Sequence, residues 1–302
     1  MAEGRSEGAS RFEELWGAGE KAVQERRLAD AEGLFAQATA WAREHDENRN
    51  ADAAQCALAA VVIQLGRGAA ELPALRRILL KNADQANCRL AAYNISLHYE
   101  RVKDYKKSLF YARIALDRSK LLGRADWLAS SHNQAGNALL GESRIEEATA
   151  EYERALEFAP AGHNAIRAGI FGNLGYCRVL ERRFAEGYRL LYESLALQRQ
   201  FGTETHQVIN RLDLCFAHLE TGRYRHALRQ GRVALRMAER LGQDELLKNA
   251  LYLVGEAANL GGDLTGAQRT FARLQRDFFP GNPYLPSFLL AVDVRKLVNL
   301  HA

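Results

Sequence analysis

The chain alternates between stretches with helical apolar faces and short polar turns such as GESR, TGR and GGD. Its apolar residues are mainly Ala and Leu, which favour helix over strand. Only five prolines occur, so long stretches lack the residue that breaks helices. The pattern predicts an all-α protein built from antiparallel helix pairs.

Small residues recur at a fixed interval within this pattern. The second helix of successive pairs carries one at positions 108, 148, 187, 227 and 267, in steps of 40, 39, 40 and 40 residues. A partner lies twelve residues earlier on the first helix, as Gly136 does before Ala148. Because side-chain size at a crossing limits how closely two helices approach, we predict packing contacts here and not an active site.

The interval extends to a repeat architecture over the whole chain. An earlier small residue at position 31 lies 77 residues before 108. This distance leaves room for one more helix pair, in which the small residues do not follow the interval clearly. One domain is predicted over 11–302, after a tail without structure over 1–10. Its seven predicted helix pairs lie near 12–45, 50–83, 89–122, 129–160, 168–202, 208–241 and 248–280.

The last segment predicts a capping helix over 286–300. Pro286 followed by Ser287 is typical of a helix start. Its apolar surface comprises Phe288, Leu289, Val292, Leu297 and Leu300. This surface can seal the last pair, and its width leaves a homodimer or partner contact as the alternative.

Charge and cysteine content exclude some classes of protein. The formal net charge of +4 gives no general nucleic-acid signature. The sequence predicts neither a signal peptide nor a transmembrane helix, and hence a cytoplasmic protein. Cys56, Cys88, Cys177 and Cys215 lie among apolar neighbours without metal-site spacing, which predicts small buried thiols in a reducing compartment.

The repeat resembles the tetratricopeptide repeat. The best match, 129–160, has the family's small, filler and terminating residues in place: Gly136, Leu139, Ala148, Tyr152, Ala155 and Pro160. The resemblance covers about 12–280 with units longer than usual, a variant of bacterial regulators and sensors. It implies an α-solenoid, a right-handed superhelix with first helices on the concave face. Arg178 replaces a usual aromatic residue, so we expect loose packing there.

The resemblance also implies a ligand groove on the first helices. Carried over residue by residue, its positions are Tyr93, Asn94, Leu97, Asn133, Asn137, Asn173, Tyr176, Leu212, Phe216, Tyr252 and Glu256, with Asn259 one turn beyond. Asparagine both donates and accepts hydrogen bonds, which suits the backbone of an extended peptide. The alternative is that Asn94 and Asn173 connect neighbouring helices. The groove lacks the repeated Lys/Arg pattern of carboxylate-clamp adaptors.

A basic strip is predicted on the second helices. Spacings of three and four residues place five arginines on one side of one helix, and two further arginines occupy an equivalent position in neighbouring units. The strip consists of Arg225, Arg229, Arg232, Arg236, Arg240, Arg189 and Arg269. A solvated face, an acidic protein partner and nucleic acid are the alternatives, and the absence of interleaved aromatics argues against nucleic acid.

No enzyme motif occurs, and the sequence predicts no cofactor and no metal site. His218 and His226 flank one turn without a third ligand, which favours surface histidines. We therefore predict a non-enzymatic interaction scaffold or regulatory subunit that binds a protein or peptide. The alternatives are a peptide or signal sensor that changes the shape of the superhelix, and a dedicated inhibitor or activator of an enzyme in a bacterial defence or stress operon.

Overall fold

The computed structural model describes residues 3–295 and 299–301, with the backbone alone for residues 3–10. Within these residues every regular element is helical and no strand occurs, so the predicted all-α fold is confirmed. The helices form two compact units, Met1–Glu142 and Ser143–Ala302, which we call unit 1 and unit 2.

Unit 1 consists of helices that pack against their neighbours in sequence, with α3, α5 and α7 also side by side. A 3-10 turn, Gly68–Glu71, lies within the pair whose small-residue register is blurred. The α-helices are α1 Glu3–Gln24, α2 Leu28–Glu44, α3 Asn48–Gln64, α4 Leu72–Lys81, α5 Gln85–Arg101, α6 Tyr105–Leu122 and α7 Ala125–Gly141.

Unit 2 repeats the arrangement. Its first helices α9, α11 and α13 lie side by side, and each also contacts the second helix that follows it. We call the surface of these three helices the first-helix face. The α-helices are α8 Ile145–Phe158, α9 Asn164–Leu180, α10 Phe184–Phe201, α11 Glu204–Glu220, α12 Tyr224–Leu241, α13 Asp244–Leu260, α14 Leu264–Phe278 and α15 Leu285–Ala291.

The short turns between paired helices share one backbone conformation. Lys103, Arg182 and Gly222 occupy equivalent turn positions with φ of 60°, 62° and 69°, a left-handed conformation that ends the first helix. The next helix in unit 1 then begins at an N-cap, where the Asp104 side chain accepts from the Lys107 backbone N–H at 3.2 Å. These turns make the pairs antiparallel.

The predicted role of the small residues in helix crossing is confirmed. A Cβ atom added at Gly175 would lie 2.9 Å from Leu191 Cγ, and one added at Gly255 would lie 2.3 Å from the Phe271 ring. Real Cβ atoms do not approach other atoms so closely. The small residues therefore let paired helices come together, as packing requires.

Ser96 and Ser108 form a polar version of the same crossing. The Ser96 hydroxyl donates to the Ser108 carbonyl at 2.8 Å, and the Ser108 hydroxyl donates to the Ser96 carbonyl at 3.0 Å. Both side chains are fully buried. Reciprocal hydrogen bonds satisfy the hydroxyls that the close approach buries.

The four cysteines are free and buried, as predicted. Burial raises the pKa of the Cys177 and Cys215 thiols to about 12, which keeps both protonated at neutral pH. The expectation of loose packing around Arg178 is wrong. Its guanidinium is buried and forms ion pairs with Glu153, Glu181 and Glu186, so charge takes the place of the aromatic residue.

Both ends of the chain differ from the prediction. Helix α1 begins at Glu3, inside the segment predicted to be a tail, because extending an existing helix gains a backbone hydrogen bond per residue. The capping helix ends at Ala291 and not at 300. The Asp293 carboxylate accepts from the Arg295 backbone N–H at 3.0 Å, a local hydrogen bond that competes with continued helix.

Helix α15 packs on α13 and α14 through the buried Leu289, in the manner expected of a cap. Phe288 and Val292 stay 50% and 42% exposed, and Leu297 lies outside the described residues. The homodimer contact stays a prediction.

Candidate functional site

The first-helix face of unit 2 combines aromatic and acidic side chains. Tyr176 on α9, Asp213 on α11, and Tyr252 and Glu256 on α13 are all buried. Burying a carboxylate away from water is costly unless it gains a partner, so this combination is typical of a recognition site.

Residues Leu300 and His301 lie on this face. We call residues 285–301 the C-terminal segment, of which 285–295 and 299–301 are described. His301 Nε2–H donates to Asp213 Oδ1 at 2.9 Å, and the imidazole stacks on the Tyr176 ring with centroids 4.4 Å apart. Asp213 and Tyr176 therefore contact the His301 side chain from two sides.

Side chains of the face also contact the main chain of the C-terminal segment. The Leu300 N–H donates to Tyr176 Oη at 3.2 Å, and Asn249 Nδ2 donates to the Leu300 carbonyl at 3.4 Å. Asn259 Nδ2 donates to the Leu290 carbonyl at 3.3 Å. Two asparagines therefore contact backbone carbonyls, that of Leu290 in α15 and that of Leu300 in a turn.

Arg295 forms a second charged contact. Its guanidinium lies 3.0 Å from Glu220 Oε1 and 2.7 Å from Asp293 Oδ2, and it donates to the Leu219 carbonyl at 3.3 Å. The Arg295 side chain is only 17% exposed. This contact fastens the segment at the C-terminal end of α11.

Burial sets the ionisation of the groups around His301. Burial raises the pKa of the Asp213 carboxyl, and the neighbouring His301 opposes that rise. Burial also raises the pKa of the Tyr176 hydroxyl, and the Asp213 carboxylate adds to the effect. A basic group at the position of His301 therefore stabilises the charged form of Asp213.

Glu256 and Tyr252 form a second buried pair on α13. Glu256 Oε1 and Tyr252 Oη have no hydrogen-bond partner within the part of the chain described. Burial first, and then Asp293, raises the pKa of Glu256 to about 7, while Arg295 opposes the rise. The pair offers acceptor capacity that the described residues do not use.

Replacing Glu256 by Gln is expected to change the pH dependence of stability. Glu256 takes up its proton near pH 7 in the folded chain and near pH 4.5 in the unfolded chain. The folded state thus binds more protons between these values, and stability falls as pH rises through this window. We expect the free energy of unfolding of Glu256→Gln, measured by urea denaturation, to exceed that of the parent by about 1–3 kcal/mol above pH 7. The difference should be smaller at pH 4.5.

The control for this prediction is Asn259→Gln, which changes a non-titrating side chain one turn along α13. Its difference from the parent is expected to be independent of pH. A Glu256→Gln difference of equal size at pH 4.5 and pH 7.5 would contradict the raised pKa.

The structure brings part of the predicted groove together in unit 2. Tyr176 and Asn259 hydrogen-bond to the C-terminal segment. Tyr252 and Glu256 carry the buried acceptors that have no partner among the described residues. Phe216 is buried, and the centroid of its ring lies 5.9 Å from that of the Tyr176 ring, which it supports. Asn173 and Leu212 also lie on these helices, half-buried and buried respectively.

The predicted positions in unit 1 have other contacts. Asn94 is buried, and its Nδ2 donates to the Cys56 carbonyl at 2.7 Å, which is the inter-helix role given by the alternative interpretation. Asn137 Nδ2 donates to Glu100 Oε1 at 3.3 Å. Asn133 and Leu97 are half-buried on α7 and α5. A peptide-binding role for these positions stays a prediction.

Tyr93 belongs to a cluster that sequence reasoning missed. The Arg89 guanidinium lies over the Tyr93 ring at 4.6 Å and over the Trp127 ring at 5.1 Å. Arg89 is buried, and burial lowers its pKa. Asp213 and His301 were missed as well, although a single acidic residue within the apolar stretch LDLCFAHL is an available signal.

The basic strip lies on the second helices, as the helical spacing predicted. Arg225, Arg229, Arg232 and Arg236 on α12 are exposed and line a shallow depression of about 380 Å³ with Leu228 and Val233. Arg240 pairs with Glu204 and Arg189 with Glu193, while Arg269 is exposed on α14. A partner-binding role for this strip stays a prediction.

The prediction of surface histidines is wrong for His218. Its side chain is buried, with Nδ1 3.0 Å from the Tyr188 hydroxyl and Nε2 3.2 Å from the Tyr192 hydroxyl. Burial, with a contribution from His226, lowers the pKa of His218 to about 4, so that the neutral ring is a packing residue. Over the described residues, no group of three potential metal ligands occurs.

Solved structures similar to this chain are helical-repeat proteins. The apo form of RapI aligns with a TM-score of 0.63 and 10% identity, over 96% of this chain and 83% of that one. A Rap protein complexed with competence and sporulation factor gives 0.56 and 14%, over 98% and 97%. A tetratricopeptide repeat protein from Parabacteroides merdae gives 0.52 and 15%, over 93% and 98%.

The chain therefore has the fold of the tetratricopeptide-repeat class of proteins. At these identities the similarity shows the fold alone. No family model matches the chain, and no curated protein matches it either. Among the described residues, no helix is both long enough and apolar enough to span a membrane.

Proposed function

We propose that this chain is a non-enzymatic interaction protein that binds a partner protein or an extended peptide on the first-helix face of unit 2. It acts as a scaffold or regulatory subunit in the bacterial cytoplasm. Its chemistry is recognition: aromatic, amide and carboxylate side chains hold a chain segment.

The observation that supports this proposal is the C-terminal segment. Tyr176, Asn249 and Asn259 hydrogen-bond to its main chain, and main-chain groups of this kind are present in any polypeptide partner. The arrangement favours a partner that presents free main-chain N–H and C=O groups to this face. The similar Rap structure, solved with competence and sporulation factor bound, supports ligand binding by this fold.

A peptide-sensing regulator is the second candidate, and the same segment favours it. A ligand that binds the first-helix face would displace the C-terminal segment from it. Binding would therefore change the exposure of that segment. Such a change requires that the ligand binds the displaced state more tightly than the occupied one.

Site-specific photo-crosslinking in a lysate of the source cells tests the proposal. A photoreactive amino acid replaces Asn249 on the first-helix face in one variant, and the exposed Arg232 of the basic strip in the other. We expect one partner to be crosslinked from position 249 and not from 232. Circular dichroism checks that both variants fold.

Adducts formed only from position 232 would contradict binding on the first-helix face and would assign the function to the basic strip. An adduct from position 249 that disappears in a chain carrying Asn259→Ala would confirm that the amide contacts hold the partner.

A further inference from the structure

Basic side chains of the C-terminal segment contact acidic side chains of the first-helix face. Arg295 lies against Glu220, and His301 lies against Asp213. The side chains of Arg295 and His301 are 17% and 16% exposed, so both contacts are largely shielded from water. Charge complementarity of this kind determines which partner fits a site.

The two contacts have a defined spacing. Asp213 and Glu220 are seven residues apart on α11, which corresponds to about 10 Å along the helix. Arg295 and His301 are six residues apart, a length that could reach about 20 Å when fully extended. A partner with a similar spacing of basic side chains can therefore reach both carboxylates.

The face also offers more acceptors than the C-terminal segment uses. Glu256 Oε1 and Tyr252 Oη are buried without a donor from the described protein. Leaving a buried polar atom unpaired destabilises the protein. A segment that brings an additional N–H group to these atoms gains an interaction that the described residues of the C-terminal segment do not make.

We infer that the partner of this face is a basic segment with two positively charged side chains about six residues apart, one bound by Asp213 and the other by Glu220. The C-terminal segment imitates this ligand and occupies the face until the partner displaces it. This inference rests on the proposed function and specifies the chemistry of the partner.

A peptide-binding measurement on the full-length chain tests the inference. The receptor carries Arg295→Ala and His301→Ala, which weaken the hold of its own C-terminal segment. The probe is a fluorescein-labelled peptide with the sequence of residues 290–302. We expect this receptor to bind the probe at least tenfold more tightly than the parent chain does, because a tethered competitor acts at a high effective concentration.

The matched control is the same peptide with alanine at the positions of Arg295 and His301. We expect it to bind the receptor at least tenfold more weakly, and we expect this preference to vanish when the receptor also carries Asp213→Asn and Glu220→Gln. If both peptides bind equally, the inference of a basic partner fails and the proposed function stands. If neither binds a receptor that circular dichroism shows to be folded, both fail.

Discussion

Replacing Phe271 by alanine is expected to lower the free energy of unfolding of unit 2 by about 3–5 kcal/mol. Phe271 on α14 is fully buried, and its ring fills the space opposite Gly255 on α13. Truncation removes the apolar ring and leaves a cavity that two rigid helices cannot close. Urea denaturation followed by circular dichroism measures the loss.

The contact with Gly255 makes this prediction specific. Gly255→Ala in the parent chain is expected to cost about 1–3 kcal/mol, because the new Cβ overlaps the ring. In the Phe271→Ala background the same change should no longer destabilise and should instead stabilise by about 0.5–1 kcal/mol, since the ring is gone. Gly169→Ala on α9, where a Cβ meets no atom within 4 Å, is the control and should stabilise by about 0.5–1 kcal/mol. Additive effects of Gly255→Ala and Phe271→Ala would contradict a direct contact.

Replacing Arg178 by alanine is expected to cost about 2–3 kcal/mol. Arg178 is 4% exposed, and its guanidinium lies 2.8 Å from Glu181 Oε2 and 3.2 Å from Glu186 Oε1, with Glu153 as the third partner. Removal leaves three carboxylates close together without the charge between them. Arg178→Lys should recover only part of the loss, because one ammonium cannot reproduce the fork of the guanidinium.

The neighbouring Arg183 provides the control for Arg178. Arg183 also pairs with Glu186 and Glu181, but its side chain is 54% exposed. Arg183→Ala is expected to cost less than about 1 kcal/mol, as is usual for exposed ion pairs. Equal losses for the two arginines in urea denaturation would show that burial of the guanidinium contributes nothing.

The sequence could predict the helix pairs because their cause is local. Turns such as TGR, the small residues at 175 and 255, and the helical spacing of apolar positions all act between residues close in the chain. The same register placed Tyr176, Tyr252, Glu256 and Asn259 on the first helices. The choice of these residues as groove positions was implied by the tetratricopeptide resemblance, carried over on that register.

The contacts of the C-terminal segment could not be predicted in this way. His301 meets Asp213 across 88 residues of chain, and no periodic pattern relates the two positions. The end of α15 depends on Asp293 and Arg295, whose interactions compete with the helix that the apolar residues favour. The role of Asn94 depends on whether its amide reaches the Cys56 carbonyl or solvent, which spacing alone cannot decide.

Amide hydrogen exchange at Leu300 tests most directly whether the first-helix face binds an extended segment. The Leu300 N–H donates to Tyr176 Oη, and without this hydrogen bond the amide would exchange at the rate of an unstructured peptide. We predict exchange at least about tenfold slower than in an unstructured peptide of the same sequence, and loss of this protection in Tyr176→Phe. Exchange at the peptide rate in the parent chain would contradict occupancy of the face by the C-terminal segment.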